Sequence, residues 1–322
     1  MTTAQEEATA NTKRKKIVVT GGAGFIGSHL VDKLCMNTDN DVHVIDNYSS
    51  YDYATAKVYE NPAATYHRKD IVVSELGQVL YGAKVIYHLA AEARIQASFD
   101  RPECSLNTNV IGTMALLTQA YAANKDRCEL PRIVFTSTSS LHADGVAVKK
   151  TANILDNVAP KTPYSIGKLA AEKLIEQYWG AQCGGSWVIA RLFNVYGPRQ
   201  PITGKYATVV GLFEQQLLNE KHCTIVGNGK QTRDFTYVFD VVDVLALLQD
   251  PRYSNVHNLA SGSSINMFDL VNLLVQHHKL QTYGFTHLPA RKGESKSVVA
   301  SSSYSSAIRT IQWVLRPIEN SE

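Results

Sequence analysis

The chain of 322 residues predicts an α/β fold, a doubly wound parallel sheet that carries a smaller C-terminal lobe. Three observations predict it. Near the N-terminus an apolar run breaks into glycines and resumes at helical spacing. Strand-like and helix-like segments then alternate through the first half. After Asn194 the composition shifts towards Gly, Gln, Lys and Asn.

Residues 17–19 suit a buried strand, Gly21-Gly22-Ala23-Gly24-Phe25-Ile26-Gly27 follows, and Ile26, Leu30, Val31 and Leu34 form the apolar stripe of a helix. Strand, glycine turn and helix open a dinucleotide-binding unit of the Rossmann type. One glycine permits the tight turn, one lets backbone approach a pyrophosphate, and one allows helix and strand to pack closely. The free N–H groups and positive end of the helix dipole face the phosphates. The glycine spacing alone also fits an ordinary turn. The second strand, 41–46, favours the nucleotide: it ends in Asp46, roughly 20 residues beyond the glycines, where a carboxylate binds ribose hydroxyls. A turn acid before Asn47 is the plainer alternative. With no basic residue directly after Asp46, the site favours NAD over its 2′-phosphorylated relative, because like charges repel.

A tyrosine-rich loop follows, and a third strand is expected at 65–67. Asp70 and Ile71 then read equally as an adenine contact and as a strand-to-helix turn. A fourth strand, 84–91, ends in Leu89-Ala90-Ala91, small enough at the end to admit a flat ring. A long helix, 102–123, carries Asn107 and Asn109 among apolar positions. The fifth strand, 132–136, leads to Ser137-Thr138-Ser139-Ser140.

The helix opened by Pro163 carries Tyr164 and Lys168, four apart and so on one face. An ammonium beside a phenol favours the phenolate, and an oxidised nicotinamide adds a second positive charge; the tyrosine pKa is expected to fall. Alone, the pair also reads as a solvated Tyr/Lys at a helix start. A sixth strand spans 186–194. Beyond it come a helix at 209–218, an apolar strand and helix at 236–248, and a helix at 267–278. Arg233 and Arg291, if they converge, suit a diphosphate through forked donors. Each also reads as a surface ion pair, the preferred reading for Arg199.

A formal net charge of +3 is too small to suggest nucleic acid. Residues 1–14 read as a disordered polar tail and not as a signal or transit peptide, and no run is long and apolar enough to span a membrane. Cys35, Cys104, Cys128, Cys183 and Cys223 have neither metal-ligand nor C-x-x-C spacing, so reduced cysteines, no metal and a cytoplasmic setting are expected. The expected division is 15–194 with 234–261 for the dinucleotide-binding domain, and 195–233 with 262–322 for the lobe.

With these residues laid out, the chain resembles the extended short-chain dehydrogenase/reductases, and within them the NAD-dependent nucleotide-sugar epimerases and dehydratases. The resemblance lies in Thr20 to Gly27, His88-Leu89-Ala90-Ala91, Tyr164-x-x-x-Lys168, Arg191-Leu192-Phe193-Asn194-Val195-Tyr196-Gly197-Pro198, Gln231-Thr232-Arg233-Asp234-Phe235 and Pro289-Ala290-Arg291. It implies NAD held by Gly21, Gly24, Phe25, Ile26, Gly27, Asp46, Asn47, Asp70, Ile71, Leu89, Ala90, Ala91, Asn109, Tyr164 and Lys168. Tyr164 would be the acid/base, Lys168 its partner, and Thr138 would meet the sugar's reacting oxygen. Asn194, Arg233 and Arg291 would hold the nucleoside diphosphate. Helices 102–123 and 164–178 resemble those that pair across a homodimer.

The departures bear on the reaction. The family's 4,6-dehydratases follow the threonine with Asp-Glu, and its decarboxylating members usually keep a Glu. Here Ser139 and Ser140 stand there, hydroxyls far too weakly acidic to replace that pair. The implied reaction is epimerisation of a UDP-hexose or similar sugar at C4, through a transient 4-keto form. A dehydratase, decarboxylase or reductase of the same family, or a non-catalytic NAD-binding regulator, are the alternatives. Leu141-His142-Ala143-Asp144-Gly145 replaces the family's usual Val-Tyr-Gly near the sugar, Phe239 stands where an acid is usual, and Val298 falls near the residue that gates sugar size.

Overall fold

A computed structural model describes residues 14–50, 58–145, 147–148, 151–202, 207–219, 222–281, 283–290, 297 and 299–300. Arg291 and Val298 lie outside these residues, as does the expected N-terminal tail apart from Arg14.

Seven strands form one parallel sheet: β1 (Lys15–Thr20), β2 (Asn40–Asp46), β3 (Thr65–Arg68), β4 (Val85–His88), β5 (Arg132–Thr138), β6 (Trp187–Leu192) and β7 (Val256–Leu259), in the order β3-β2-β1-β4-β5-β6-β7. The short strand Thr151–Ala152 adds an antiparallel edge beside β7. Strand order reverses between β1 and β4, the place where open α/β sheets bind ligands. The central strands are covered on both faces and therefore read as continuous apolar runs. Ile17, Val18, Val19, Ile86, Tyr87, Ile133 and Val134 are fully buried; each such side chain contributes about 1.5–3 kcal/mol.

One face packs on the helices Phe25–Cys35 and Val238–Leu247 through Leu30, Val31, Val241 and Leu245. The other packs on Gly112–Asn124 and Pro163–Leu174 through Leu116, Leu117, Ala120 and Ala171. Two expected helices depart from a uniform spiral. The first is α-helical over Pro102–Leu106, makes a π turn over Asn107–Ile111 and resumes at Gly112. There the Thr113 hydroxyl donates to the Asn109 carbonyl at 2.7 Å, competing with the backbone ladder. The second passes into a π segment over Ile175–Gln182.

The strand β7 was not expected from the sequence, because polar His257 and Asn258 occupy its centre. Partners satisfy them inside: Asn258 Oδ1 meets His142 Nε2 at 2.9 Å, and His257 Nε2 meets the Ser254 carbonyl. A separate core gathers Tyr196, Phe213, Ile225, Phe235, Met267 and Leu270 from the helices Val209–Leu218 and Met267–His277 and their neighbouring strands. Among the described residues, no helix is long and apolar enough to cross a membrane.

Candidate active site

The glycine turn sits at the reversal point. Thr20, the last residue of β1, lies beside Ile45 of β2 and His88 of β4. Gly21 follows at φ +72°, and a Cβ there would stand 2.6 Å from the amide nitrogen of Ala90. A Cβ on Gly27 would stand 2.1 Å from the Gly21 carbonyl oxygen, so the helix packs directly on the turn. Gly24 precedes that helix in extended conformation; no side chain among the described residues caps it, and its first turn carries no acid. The N–H groups around Phe25, Ile26 and Gly27 and the positive helix end are thus suited to an anion.

Asp46 ends β2 against this turn. Its Oδ2 accepts from Ala23 N at 3.0 Å and its Oδ1 from Tyr48 N at 2.8 Å. Burial pushes the carboxyl pKa up and those two bonds draw it back. Asn47 donates from Nδ2 to Asp70 Oδ2 at 2.8 Å, which brings the ends of β2 and β3 together. Asp70 also accepts from Val72 N and donates its own N–H to Ser74 Oγ, the turn geometry that the sequence allowed. Ile71 is buried in the sheet core.

A hydrogen-bonded chain fixes the loop after β4. Ala90 N donates to Thr20 Oγ1 at 3.2 Å, Thr20 Oγ1 meets His88 Nδ1 at 2.8 Å, and His88 Nε2 meets Thr113 Oγ1 at 2.9 Å. Since Thr113 spends its proton on the Asn109 carbonyl, the imidazole proton is assigned to Nε2. Burial lowers this histidine to about 3, so it is neutral. Asn109, a cofactor residue by the resemblance, is buried behind the loop after β4. Its Oδ1 accepts from Glu92 N, and its Nδ2 donates to Glu92 O and Ser105 Oγ. With carbonyl and amide engaged, it positions the 89–94 loop.

Tyr164 and Lys168 are held by a well-formed helix start. Thr162 Oγ1 accepts from Ser165 N and Ser165 Oγ accepts from Thr162 N, with Pro163 in the first turn. Neither residue is the solvated side chain the sequence also allowed: they are 7% and 3% exposed. Thr138, at the end of β5, lies beside the Tyr164 side chain, and its Oγ1 donates to Ser140 Oγ at 3.1 Å. Lys168 Nζ donates to the Thr136 carbonyl at 2.9 Å and lies 4.5 Å from the Phe135 ring centre.

The electrostatics correct one expectation. Burial raises the Tyr164 phenol instead of leaving it acidified, and the groups that draw it back are Thr138 and the guanidinium of Arg94. The lysine's charge is itself weakened, because burial lowers it to about 7 while Glu172 raises it. Sequence reasoning missed Arg94; its only signal was a lone cation just beyond the small residues that end the fourth strand.

On the other side of the cleft, Asn194 has φ +27° and donates from Nδ2 to the Asp234 carbonyl, which ties it to the strand Thr232–Asp234 that carries Arg233. Arg233 Nη1 donates to the Thr232 carbonyl. Arg199 pairs with Asp32 at 2.7 Å, the ion pair read from the sequence. Asp144 is a turn acid paired with Lys161. His142 is 1% exposed and stacks near Phe193, so this departure from the family pattern is part of the packing. Phe239 lies edge-on to His29 and Tyr237.

Residues 18–317 match the profile of a family described as GDP-mannose 4,6 dehydratase. The chain is 35% identical over 266 residues to UDP-glucuronic acid decarboxylase 1 of Arabidopsis thaliana, a match covering 81% of this chain and 58% of that protein, little more than half its length. Among solved structures, UDP-N-acetylglucosamine 4-epimerase from Methanobrevibacter ruminantium M1, in complex with UDP-N-acetylmuramic acid, superposes with a TM-score of 0.82 at 28% identity, covering 94% of this chain and 96% of that one. A variant UDP-glucuronic acid 4-epimerase from Bacillus cereus, in complex with UDP-4-deoxy-4-fluoro-glucuronic acid and NAD, gives a TM-score of 0.77 at 27% identity over 95% of each chain.

Proposed function

Since the chain belongs to the GDP-mannose 4,6-dehydratase family of NAD-dependent nucleotide-sugar enzymes, we propose that it epimerises a nucleotide-diphosphate sugar, a UDP-hexose, at C4. The observation that carries this reading is the buried Tyr164 beside Thr138, with Ser139 and Ser140 in place of the acids that drive elimination. Hydroxyls there orient a sugar but do not strip water from it.

NAD is the cofactor, and the cradle fits it. Gly21, Gly24, Phe25, Ile26 and Gly27 offer backbone to the pyrophosphate, and Asp46 faces the adenosine ribose. Asp70 and Ile71, with Asn47 bracing Asp70, border the adenine. Leu89, Ala90 and Ala91 line the floor, and Lys168 serves the nicotinamide ribose. The start of the helix Phe25–Cys35, with no side-chain cap among the described residues and no acid in its first turn, supports an anion held against bare backbone. When bound, NAD supplies a reversible hydride acceptor. Tyr164 takes the proton of the 4-hydroxyl and returns it, and Thr138 aligns that oxygen. Asn194, Arg233 and Arg291 hold the diphosphate while the sugar presents its other face.

A panel of UDP-, dTDP- and GDP-sugars incubated with protein and NAD, and in parallel with NADH, with products resolved by NMR and NADH followed by absorbance, tests the reading. A C4 epimer supports it. A 4-keto-6-deoxy sugar, or turnover that consumes reduced cofactor stoichiometrically, overturns it.

Arg94 favours a second reading, decarboxylation of a UDP-hexuronate. A cation beside Tyr164 suits a carboxylate on the sugar carbon next to the one oxidised. Oxidation at C4 makes that acid a β-keto acid, whose C–C bond breaks to release CO2 while C5 takes a proton, and return of the hydride to C4 would leave a UDP-pentose. UDP-glucuronate in the same panel separates the readings: a UDP-pentose and CO2, or the C4 epimer. A non-catalytic regulator is disfavoured by the intact, buried Tyr164 and Lys168. We also read the chain as a homodimer, because Leu106, Ile111 and Ile166 expose apolar surface on the two helices that pair in the family.

A further inference from the structure

Three side chains line one face of the helix Pro163–Leu174. Tyr164, Lys168 and Glu172 follow at intervals of four, so each lies one turn from the next. Glu172 meets Arg191 of β6 in a forked pair, Nε to Oε1 at 2.9 Å and Nη2 to Oε2 at 2.6 Å, with neither side chain exposed. Arg191 Nη2 also donates to the Ile154 carbonyl. Its Nη1 is buried and has no acceptor among the described residues.

Stability alone does not account for such a pair. Taking two ions out of water offsets most of their attraction, and apolar replacements of similar volume are often neutral or better. Here one donor is left over as well, a further penalty.

The surroundings of Lys168 point elsewhere. From β5 it faces the Thr136 carbonyl and the Phe135 ring. From β4 it faces His88, which is neutral. Arg191 lies on β6 behind Glu172, and Tyr164 lies one turn towards the cleft with Arg94 beyond it. Glu172 is the anion that acts on it.

We propose that Glu172, gripped by Arg191, is a positioning residue of the active site: buried one helical turn from Lys168, its carboxylate favours the charged form of that ammonium, and Arg191 holds the carboxylate in place. The inference rests on Lys168 being the cation of the site. Burial lowers the lysine to about 7 and Glu172 draws it up, so loss of the carboxylate lowers it further.

The test follows the side-chain carbon resonance of Lys168 against pH in NAD-loaded protein labelled at lysine Cε, assigned by its disappearance in Lys168→Met. Glu172→Gln removes the charge. Glu172→Leu with Arg191→Met removes both charges and keeps an apolar fill, which guards against misfolding of the single variant. The lysine midpoint is expected to fall by about one pH unit or more, a tenfold loss of proton affinity, and the alkaline limb of kcat/KM to move the same way. A folded variant whose midpoint is unchanged overturns the proposal, even if its activity drops. Should neither fold, Glu172→Asp is read the same way: it keeps the charge but withdraws it by a methylene, so a lowered midpoint supports the proposal and an unchanged one overturns it. The resonance needs no turnover, so a failed sugar panel and a failed relay are told apart.

Discussion

Lys168 donates to the carbonyl oxygen of Thr136 at 2.9 Å, two residues before the hydroxyl that lies beside Tyr164. The lysine thus ties the helix to the strand that carries Thr138, and the phenol is located by both elements together. Its environment raises its pKa by burial, so the proton it moves must be drawn by neighbouring charge at the moment of reaction.

From this, Tyr164→Phe removes the acid/base group while leaving the ring's packing. Turnover should fall by about 10²–10⁴-fold, the usual range for one general acid/base. NAD affinity, measured by calorimetry, should fall by no more than about tenfold, since one hydrogen bond of about 0.5–1.5 kcal/mol is lost at most. A protein whose measured behaviour is the same before and after the change would be a binding module and not this enzyme.

The glycine turn makes a separate prediction. Gly21→Ala places a Cβ 2.6 Å from Ala90 N at a φ of +72°, strained in both space and backbone. We expect a destabilisation of about 1–3 kcal/mol and a larger loss of NAD affinity than of thermal stability, read by calorimetry and thermal melts. Gly77→Ala meets nothing within 4 Å and serves as the control. Equal NAD affinity in Gly21→Ala and wild type would remove the turn from the cofactor site.

These two sites were also the most legible parts of the sequence, for a physical reason. A strand buried on both faces reads as an apolar run, and a turn with no room for a Cβ admits only glycine, so β1 and its turn announce themselves. The four-residue interval of Tyr164 and Lys168 fixes their common face. By contrast, β7 hides because His257 and Asn258 are satisfied by partners distant in sequence. Arg94 is one cation in a loop, and its value depends on where that loop is pinned. The sign of the Tyr164 shift depends on burial, which no spacing reveals. Glu172 and Arg191 are ordinary charged residues until they are seen wholly enclosed.

Buried histidines predict a pH dependence of stability. Burial lowers His88 to about 3 and His142 to about 4, from an ordinary 6.5. As pH falls below 6.5 the unfolded chain takes up both protons and the folded one does not, so stability present above that pH is lost on acidification, by about 1.4 kcal/mol per unit for each histidine. Asp234 works the other way: burial raises it to about 6 from 3.8, so between those values the folded state binds the proton first and offsets one histidine. Melting temperature should therefore fall between pH 7 and about 4.5. His142→Gln keeps a donor for Asn258 but does not titrate, so its decline should be shallower. Parallel declines in variant and wild type would show that His142 is not neutral in the folded protein.

The last prediction concerns the homodimer we read from the two helices. Ile111 and Ile166 are 55% and 52% exposed, and Leu106 is 37% exposed nearby on the same helical pair. Exposed apolar side chains of this size on neighbouring helices are a reason to expect a covered face. The side chains of Ile111 and Ile166 stand clear of the core, so a charge at either position leaves the monomer's fold intact. In a four-helix interface, however, each substitution would desolvate two glutamates, one from each copy. Ile111→Glu and Ile166→Glu should each halve the mass seen by light scattering while the circular dichroism spectrum is preserved. An unchanged dimer in both variants would move the interface elsewhere, and a monomeric wild type would remove it.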